Sequence, residues 1–165
     1  MKKVKIILGY SLGMRTCCVH LADVLQMAKY IITGVIIMKV YSKSKDGNKK
    51  VSTNFKVKEF ACQDGSDPIF IDSELVSILQ KIRTHFGKAV TITSAYRTPS
   101  HNQYVGGATF SQHQYGKAAD IQIAGIPPKK IAAYAETLLP NKGGIGIYGT
   151  FTHIDVRDVK SRWNG

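Results

Sequence analysis

Apolar positions in this chain follow two different rhythms. Leu75, Leu79, Ile82 and Phe86 recur at helical spacing, with Val76 and Ile78 widening the same face. Asp72 precedes them as a capping residue, and Glu74 adds negative charge where the helix dipole favours it. Gly87 supplies a stop. The spacing therefore predicts a helix between Asp72 and Gly87. From Ala89 to Ala95 apolar and polar residues alternate instead, the period of a strand. Residues 98–112 contain Pro99, Gly106 and Gly107 and read as a long loop holding one helical turn. Ala118 to Ile123 reads as a strand. Pro127 and Pro128 open a second helix through Ile131, Ala135 and Leu138, ended by Pro140. Residues 145–148 and 151–156 read as two more strands around a tight turn near Gly149. Helices and strands mix without a βαβ rhythm, so the fold class is α+β.

Upstream of these elements, residues 41–54 are polar, basic and rich in Ser and Asn. They read as a loop, linker or solvated hairpin, with Phe55, Val57 and Phe60 anchoring the entry into a compact domain. The expected organisation is a basic extension over residues 1–50 and a folded domain over 51–165. Met1 to Leu8 begins like an export signal, but the apolar stretch breaks at Gly9 and Arg15. A second run from Tyr30 to Val40 is too short to cross a bilayer. Translation from Met38 would leave residues 1–37 outside the functional domain.

The chain has 165 residues, enough for one domain with a real core. Its net charge of +12 is unevenly placed. Residues 1–50 carry ten Lys or Arg against Asp23 and Asp46, while residues 51–165 carry thirteen against nine acidic residues. Such a field draws in polyanions of any kind without choosing among them. No RNA-binding aromatic signature, zinc-finger spacing or basic heptad helix accompanies it, so specific nucleic-acid binding is not expected. Cys17, Cys18 and Cys62 form neither an even set nor a CxxC pair, which fits thiols rather than a disulfide framework or a structural zinc site.

The chemistry concentrates in the second half. Ser111 to Asp120 contributes His113 and Asp120, with Gly116 between them to permit a sharp turn. His153 lies in a predicted strand, and Asp155 points to the same side of it. Two imidazoles and one carboxylate suit a catalytic zinc ion, with three protein ligands and an open fourth position. Asp155 can fix the tautomer of His153 or accept a proton from water. His20, His85 and His101 read as ordinary core or surface residues, and Arg97, taken alone, as a loop residue.

The surrounding letters narrow this. Ser94-Ala95-Tyr96-Arg97-Thr98, then Ser111-x-His113-x-x-Gly116-x-Ala118-x-Asp120-Ile121, then Gly144-Ile145-Gly146-Ile147-Tyr148 leading to His153-Ile154-Asp155, occur in that order. Together they resemble the zinc D-Ala-D-Ala carboxypeptidases, peptidase family M15, and most closely the short peptidoglycan peptidases of bacteria and phage lysins. The resemblance covers roughly residues 52–160. It implies an α+β fold with a small central antiparallel sheet flanked by helices, a scaffold also found in hedgehog-type signalling proteins. It implies that His113, Asp120 and His153 ligate zinc. It implies that Arg97 binds the carboxylate or carbonyl end of a peptidoglycan peptide, with Ser94 beside it; Tyr96 and Asn102 could line the cleft, although a core role for Tyr96 and a loop-capping role for Asn102 suit them better. A guanidinium fork suits a carboxylate.

Several members of that family carry an acidic base three residues before the last ligand. That position here is Thr150, so Asp155 becomes the candidate base, the other roles open to it being to orient His153 or to pair with Arg157. The expected activity is zinc-dependent hydrolysis of stem peptides or cross-links, as a carboxypeptidase or an endopeptidase, by a monomer acting at the cell wall. The competing expectation is a non-catalytic, metal-containing domain of the same fold that binds cell wall.

Overall fold

The computed structural model describes residues 38–165. The readings placed on residues 1–37, including Cys17, Cys18 and His20, lie outside the described residues. The chain enters through β1 (Met38–Ser42) and a single helical turn, α1 (Lys43–Asp46). A 3-10 turn over Val57–Phe60 leads to β2 (Pro68–Asp72), which pairs antiparallel with β1. Residues 38–50, read from composition as part of an extension, thus reach the domain through a ladder. A further bridge joins Lys50 to Lys56. Phe55, Val57 and Phe60 are buried, as expected of anchoring residues.

Helix α2 (Ser73–Phe86) forms where the spacing places it. The Asp72 carboxylate accepts from the Glu74 N–H, and Gly87 closes the helix in the left-handed region at φ 61°. Leu75, Leu79 and Ile82 are fully enclosed. Each contributes roughly 1.5–3 kcal/mol by leaving water.

The main sheet has five strands: β3 (Val90–Ser94), β4 (Ala118–Ile123), β5 (Gly144–Ile147), β6 (Thr152–Asp155) and β7 (Ser161–Asn164). Their order is β3-β4-β6-β5-β7. All neighbours are antiparallel except β5 and β7, which run parallel at the edge. Between β3 and β4 lies α3 (Pro99–Tyr104), capped by the Thr98 hydroxyl; between β4 and β5 lies α4 (Pro128–Leu138). The expected α+β fold with a small, largely antiparallel central sheet and flanking helices is present.

One face of the sheet makes the core. Ala119, Ile121 and Ile123 of β4, Ile154 of β6 and Ile145 of β5 are buried there with residues of α2 and α4. The alternate residues Asp120, His153, Asp155, Gly144 and Gly146 occupy the opposite face, as a period of two requires. Among the described residues no helix is long and apolar enough to cross a membrane.

Three strands were not legible in the hydrophobic pattern. Strand β2 is bounded by Pro68 and Asp72, and β7 (Ser161-Arg162-Trp163-Asn164) is mostly polar. The ladder to β5 defines β7, not burial of an apolar face. Strand β1 overlaps the end of an apolar run that carried no alternation. Removing a core side chain tests the packing: Leu79→Ala is expected to lower the unfolding free energy by about 2–5 kcal/mol in urea denaturation, without loss of cooperativity.

Candidate metal centre

The backbone brings the remote residues into one row. In the antiparallel ladders Ser94 stands opposite Asp120, Asp120 opposite His153, and His153 opposite Gly146. The register between β3 and β4 shifts between Ile92 and Ser94, so an extra residue is inserted there. This bulge turns β3 so that Ser94, not Thr93, faces Asp120. His113 arrives from the loop after α3. Its backbone carbonyl accepts from Arg97 N–H, and Gly116, at φ 63°, turns the chain back into β4. A Cβ on Gly116 would lie 2.3 Å from the Phe70 carbonyl oxygen, so the turn also needs the missing side chain.

His113, Asp120 and His153 are all buried, and each offers one ligand atom to a common point. His113 Nε2 lies 3.2 Å from His153 Nδ1 and 3.4 Å from Asp120 Oδ1; His153 Nδ1 lies 2.8 Å from the same oxygen. The tautomers follow from the outer partners. His113 Nδ1 is 2.6 Å from the Ala95 carbonyl oxygen, which can only accept, so that nitrogen carries a proton. His153 Nε2 is 3.1 Å from Asp155 Oδ2 and carries its proton for the same reason. The inward nitrogens of neutral rings then both present lone pairs, facing a carboxylate oxygen. Three mutually facing acceptors are stable only around a cation or a shared proton. A tetrahedral ion about 2.0–2.1 Å from each ligand would set the ligands about 3.3 Å apart; the 3.2 and 3.4 Å separations match this, and the 2.8 Å one is a hydrogen-bond distance. The donor set fits a zinc-like ion.

Electrostatics separate the two rings: His113 is biased toward the neutral form, whereas His153 favours the proton it shares with Asp120. Burial disfavours charge on His113 and holds its pKa below the ordinary imidazole value, with Asp120 opposing in part. Burial acts the same way on His153, but its contacts with Asp120 and Asp155 outweigh it and raise the pKa. Burial would raise Asp120, yet its hydrogen bonds with the two imidazoles hold it well below the usual carboxylate range.

Arg97 reaches this centre. Its Nη2 donates to Asp120 Oδ2 at 2.7 Å and its Nε to Ser94 Oγ at 2.8 Å. Ser94 thereby orients the guanidinium. Among the described residues Nη1 makes no hydrogen bond, and the side chain is 17% exposed, so one edge of the fork is open to a ligand. Tyr96 is elsewhere. It is 8% exposed, packs 5.1 Å from the Phe70 ring and belongs to the core, where burial raises its pKa. Its ring follows the chain inward after the bulge instead of lining the site.

Asp155 is fully buried. Besides His153 Nε2 it accepts from Gly144 N–H at 2.9 Å, from Arg157 N–H at 3.0 Å and from the Arg157 guanidinium in bidentate fashion at 2.8 and 2.5 Å. Burial would raise its pKa, but these donors hold it well below the carboxylate range. A carboxylate so committed has no lone pair directed at solvent.

Two glycines make room for this arrangement. A Cβ on Gly144 would lie 2.1 Å from Asp155 Oδ2, and one on Gly146 would lie 2.5 Å from the Trp163 indole. Trp163 on β7 stands opposite Gly146, and its ring centre is 5.1 Å from that of His153. The glycine spacing was visible in the sequence; the residues that fill the space were not.

The Peptidase M15 family model matches residues 53–155, a span that includes His113, Asp120, His153 and Asp155. The chain belongs to the M15 peptidase family. It is similar to a probable peptidoglycan L,D-endopeptidase, MepK, of Haemophilus influenzae, with 35% identity over 105 residues. The match covers 58% of this chain and 55% of that protein, so the chain spans about half the length of that curated relative. In this M15 chain the Gly-Ile-Gly strand thus leaves the space behind the third imidazole that its neighbours fill. Gly144→Ala is expected to destabilise the fold by about 1–3 kcal/mol in urea denaturation. Gly149→Ala, whose Cβ would meet nothing within 4 Å, is expected to be nearly neutral.

Proposed function

We propose that this chain is a zinc-dependent peptidase that hydrolyses peptide bonds in the stem peptides or cross-links of peptidoglycan. The observation that carries the reading is the inward convergence of His113 Nε2, Asp120 Oδ1 and His153 Nδ1, with both tautomers fixed from outside. Family membership and the likeness to a protein named as a peptidoglycan endopeptidase support the substrate class. The folded peptidase unit covers at least residues 53–155 in this reading.

His113, Asp120 and His153 would hold the ion. A bound zinc ion supplies Lewis acidity, polarising a carbonyl and lowering the pKa of water. The protein's own groups then do three things. Ala95 and Asp155 hold the two imidazoles in the tautomers that keep lone pairs facing inward. Arg97 neutralises the outer oxygen of Asp120 and offers its open edge to a substrate carboxylate or carbonyl. Asp155, saturated by Arg157 and Gly144, acts as a positioning residue for His153. This assignment replaces the reading of Asp155 as general base, which needs a lone pair turned toward the substrate.

Thr150 is exposed and has no basic group. It favours a second reading, a metal-containing domain that binds cell wall without cutting it. Digestion of purified muropeptides, followed by mass spectrometry with and without chelator, separates the two. New termini that vanish on chelation support the peptidase; intact muropeptides in the presence of stoichiometric zinc support the binding domain.

Two outcomes test the ligand set. Asp120→Ala is expected to lose zinc, measured by elemental analysis, because two imidazoles remain; full occupancy would remove Asp120 from the set. Zinc affinity is expected to fall as pH falls, because protons compete for the inward nitrogens. The raised pKa of His153 places the onset of that loss above the ordinary imidazole value of about 6.5. Below it the proton holds the nitrogen; above it the lone pair is free. Isothermal titration across pH 5.5–8 measures this.

A further inference from the structure

The row Asp120–His153–Gly146–Trp163 runs across the sheet on the face that carries the cluster. Two residues beyond Gly146 on the same side of the chain is Tyr148, whose backbone N–H donates to the Phe151 carbonyl as the ladder ends. Because Gly146 has no side chain, the Trp163 indole lies over β5. There its ring stands beside His153, and its Nε1 reaches the Tyr148 hydroxyl at 2.9 Å. An indole N–H can only donate, so the Tyr148 oxygen accepts this bond. The phenolic proton must therefore point elsewhere. Among the described residues no group accepts it.

The phenol is also held on one face and one edge. Its ring stacks on Phe151 at 4.3 Å between centres and 11° between planes. A Cβ on Gly165 would lie 2.0 Å from Tyr148 Cε1, so the backbone of the C-terminal strand closes against the ring's edge. Tyr148 and Trp163 are both half-buried, hence fixed yet reachable. Three contacts immobilise a hydroxyl whose single donor is unused, on the same sheet face as the three convergent ligands.

We propose that Tyr148 is a catalytic residue: its hydroxyl donates a hydrogen bond to the substrate oxygen that gains negative charge as the peptide carbonyl is attacked. Trp163 is its positioning residue. The inference rests on the peptidase reading above and deepens it. It also gives the loop around Thr150 a polar function that Thr150 does not supply. A donor already oriented for a developing oxyanion acts in the transition state far more than in the ground state. No proton is transferred in this role; the O–H bond stays intact.

The test compares wild type, Tyr148→Phe and Trp163→Phe, all zinc-loaded. The readouts are muropeptide turnover, zinc content by elemental analysis, and affinity for a phosphinate pseudopeptide that mimics the tetrahedral geometry. Tyr148→Phe keeps the stack on Phe151 and loses only the hydroxyl. It is expected to lower kcat by about 10²–10³-fold, to change KM by less than about threefold, and to weaken phosphinate binding in proportion to kcat. Zinc content is expected to stay near one per chain. Trp163→Phe is expected to give a smaller loss of kcat, and no further loss when combined with Tyr148→Phe. Wild-type kcat and phosphinate affinity in Tyr148→Phe would overturn the proposal. So would loss of zinc, which would make the tyrosine a support of His153 alone. An inactive wild type that still binds zinc would refute the peptidase reading itself, and the phosphinate measurement would then judge Tyr148 separately.

Discussion

Two imidazole nitrogens and a carboxylate oxygen within 3.4 Å of one another, all buried, repel unless something positive lies among them. That constraint organises the rest of the site. It demands that each ring be protonated on its outer nitrogen, and so it demands an outer acceptor for each. The Ala95 carbonyl serves His113, and the Asp155 carboxylate serves His153. It also demands that the outer oxygen of Asp120 be compensated, which Arg97 does. Burying so many charges is tolerable only because nearly every one has a partner.

The sheet delivers this arrangement with little freedom. Registers between neighbouring strands set Ser94, Asp120, His153, Gly146 and Trp163 in one line, and a one-residue slip would move each to the core face. The bulge in β3 corrects the only step at which regular alternation would have put a threonine opposite Asp120. The glycines of β5 serve packing, not flexibility. Each leaves a gap that a neighbouring side chain fills: the Asp155 carboxylate in one, the Trp163 indole in the other.

Much of this was legible in the residues. Asp72, the Leu75–Phe86 spacing and Gly87 located α2 to the residue, because capping and periodicity are local effects. Strand β3 was visible through alternation, and β4 to β6 read as strands set between turn signals. The three candidate ligands were visible only through the letters around them, since spacing alone does not say that a loop histidine and two strand residues converge. What stayed hidden depends on long-range contacts. Trp163 sits in a polar strand that exists because β5 offers it a parallel edge. Asp155 was placed on the correct face by a period of two, and pairing with Arg157 was among the roles open to it, but its saturation by Arg157 and Gly144 together could not be read from that period. Tyr96, adjacent to Arg97, took the core role that its residue type favoured over the cleft.

The most direct test of the metal centre is X-ray absorption of the zinc-loaded protein at neutral pH. One zinc per chain in a shell of nitrogen and oxygen donors only, at about 2.0–2.1 Å, with the imidazole scattering of two histidines, is the predicted result. A sulfur shell near 2.3 Å, a single histidine, or binding well below one ion per chain would contradict it.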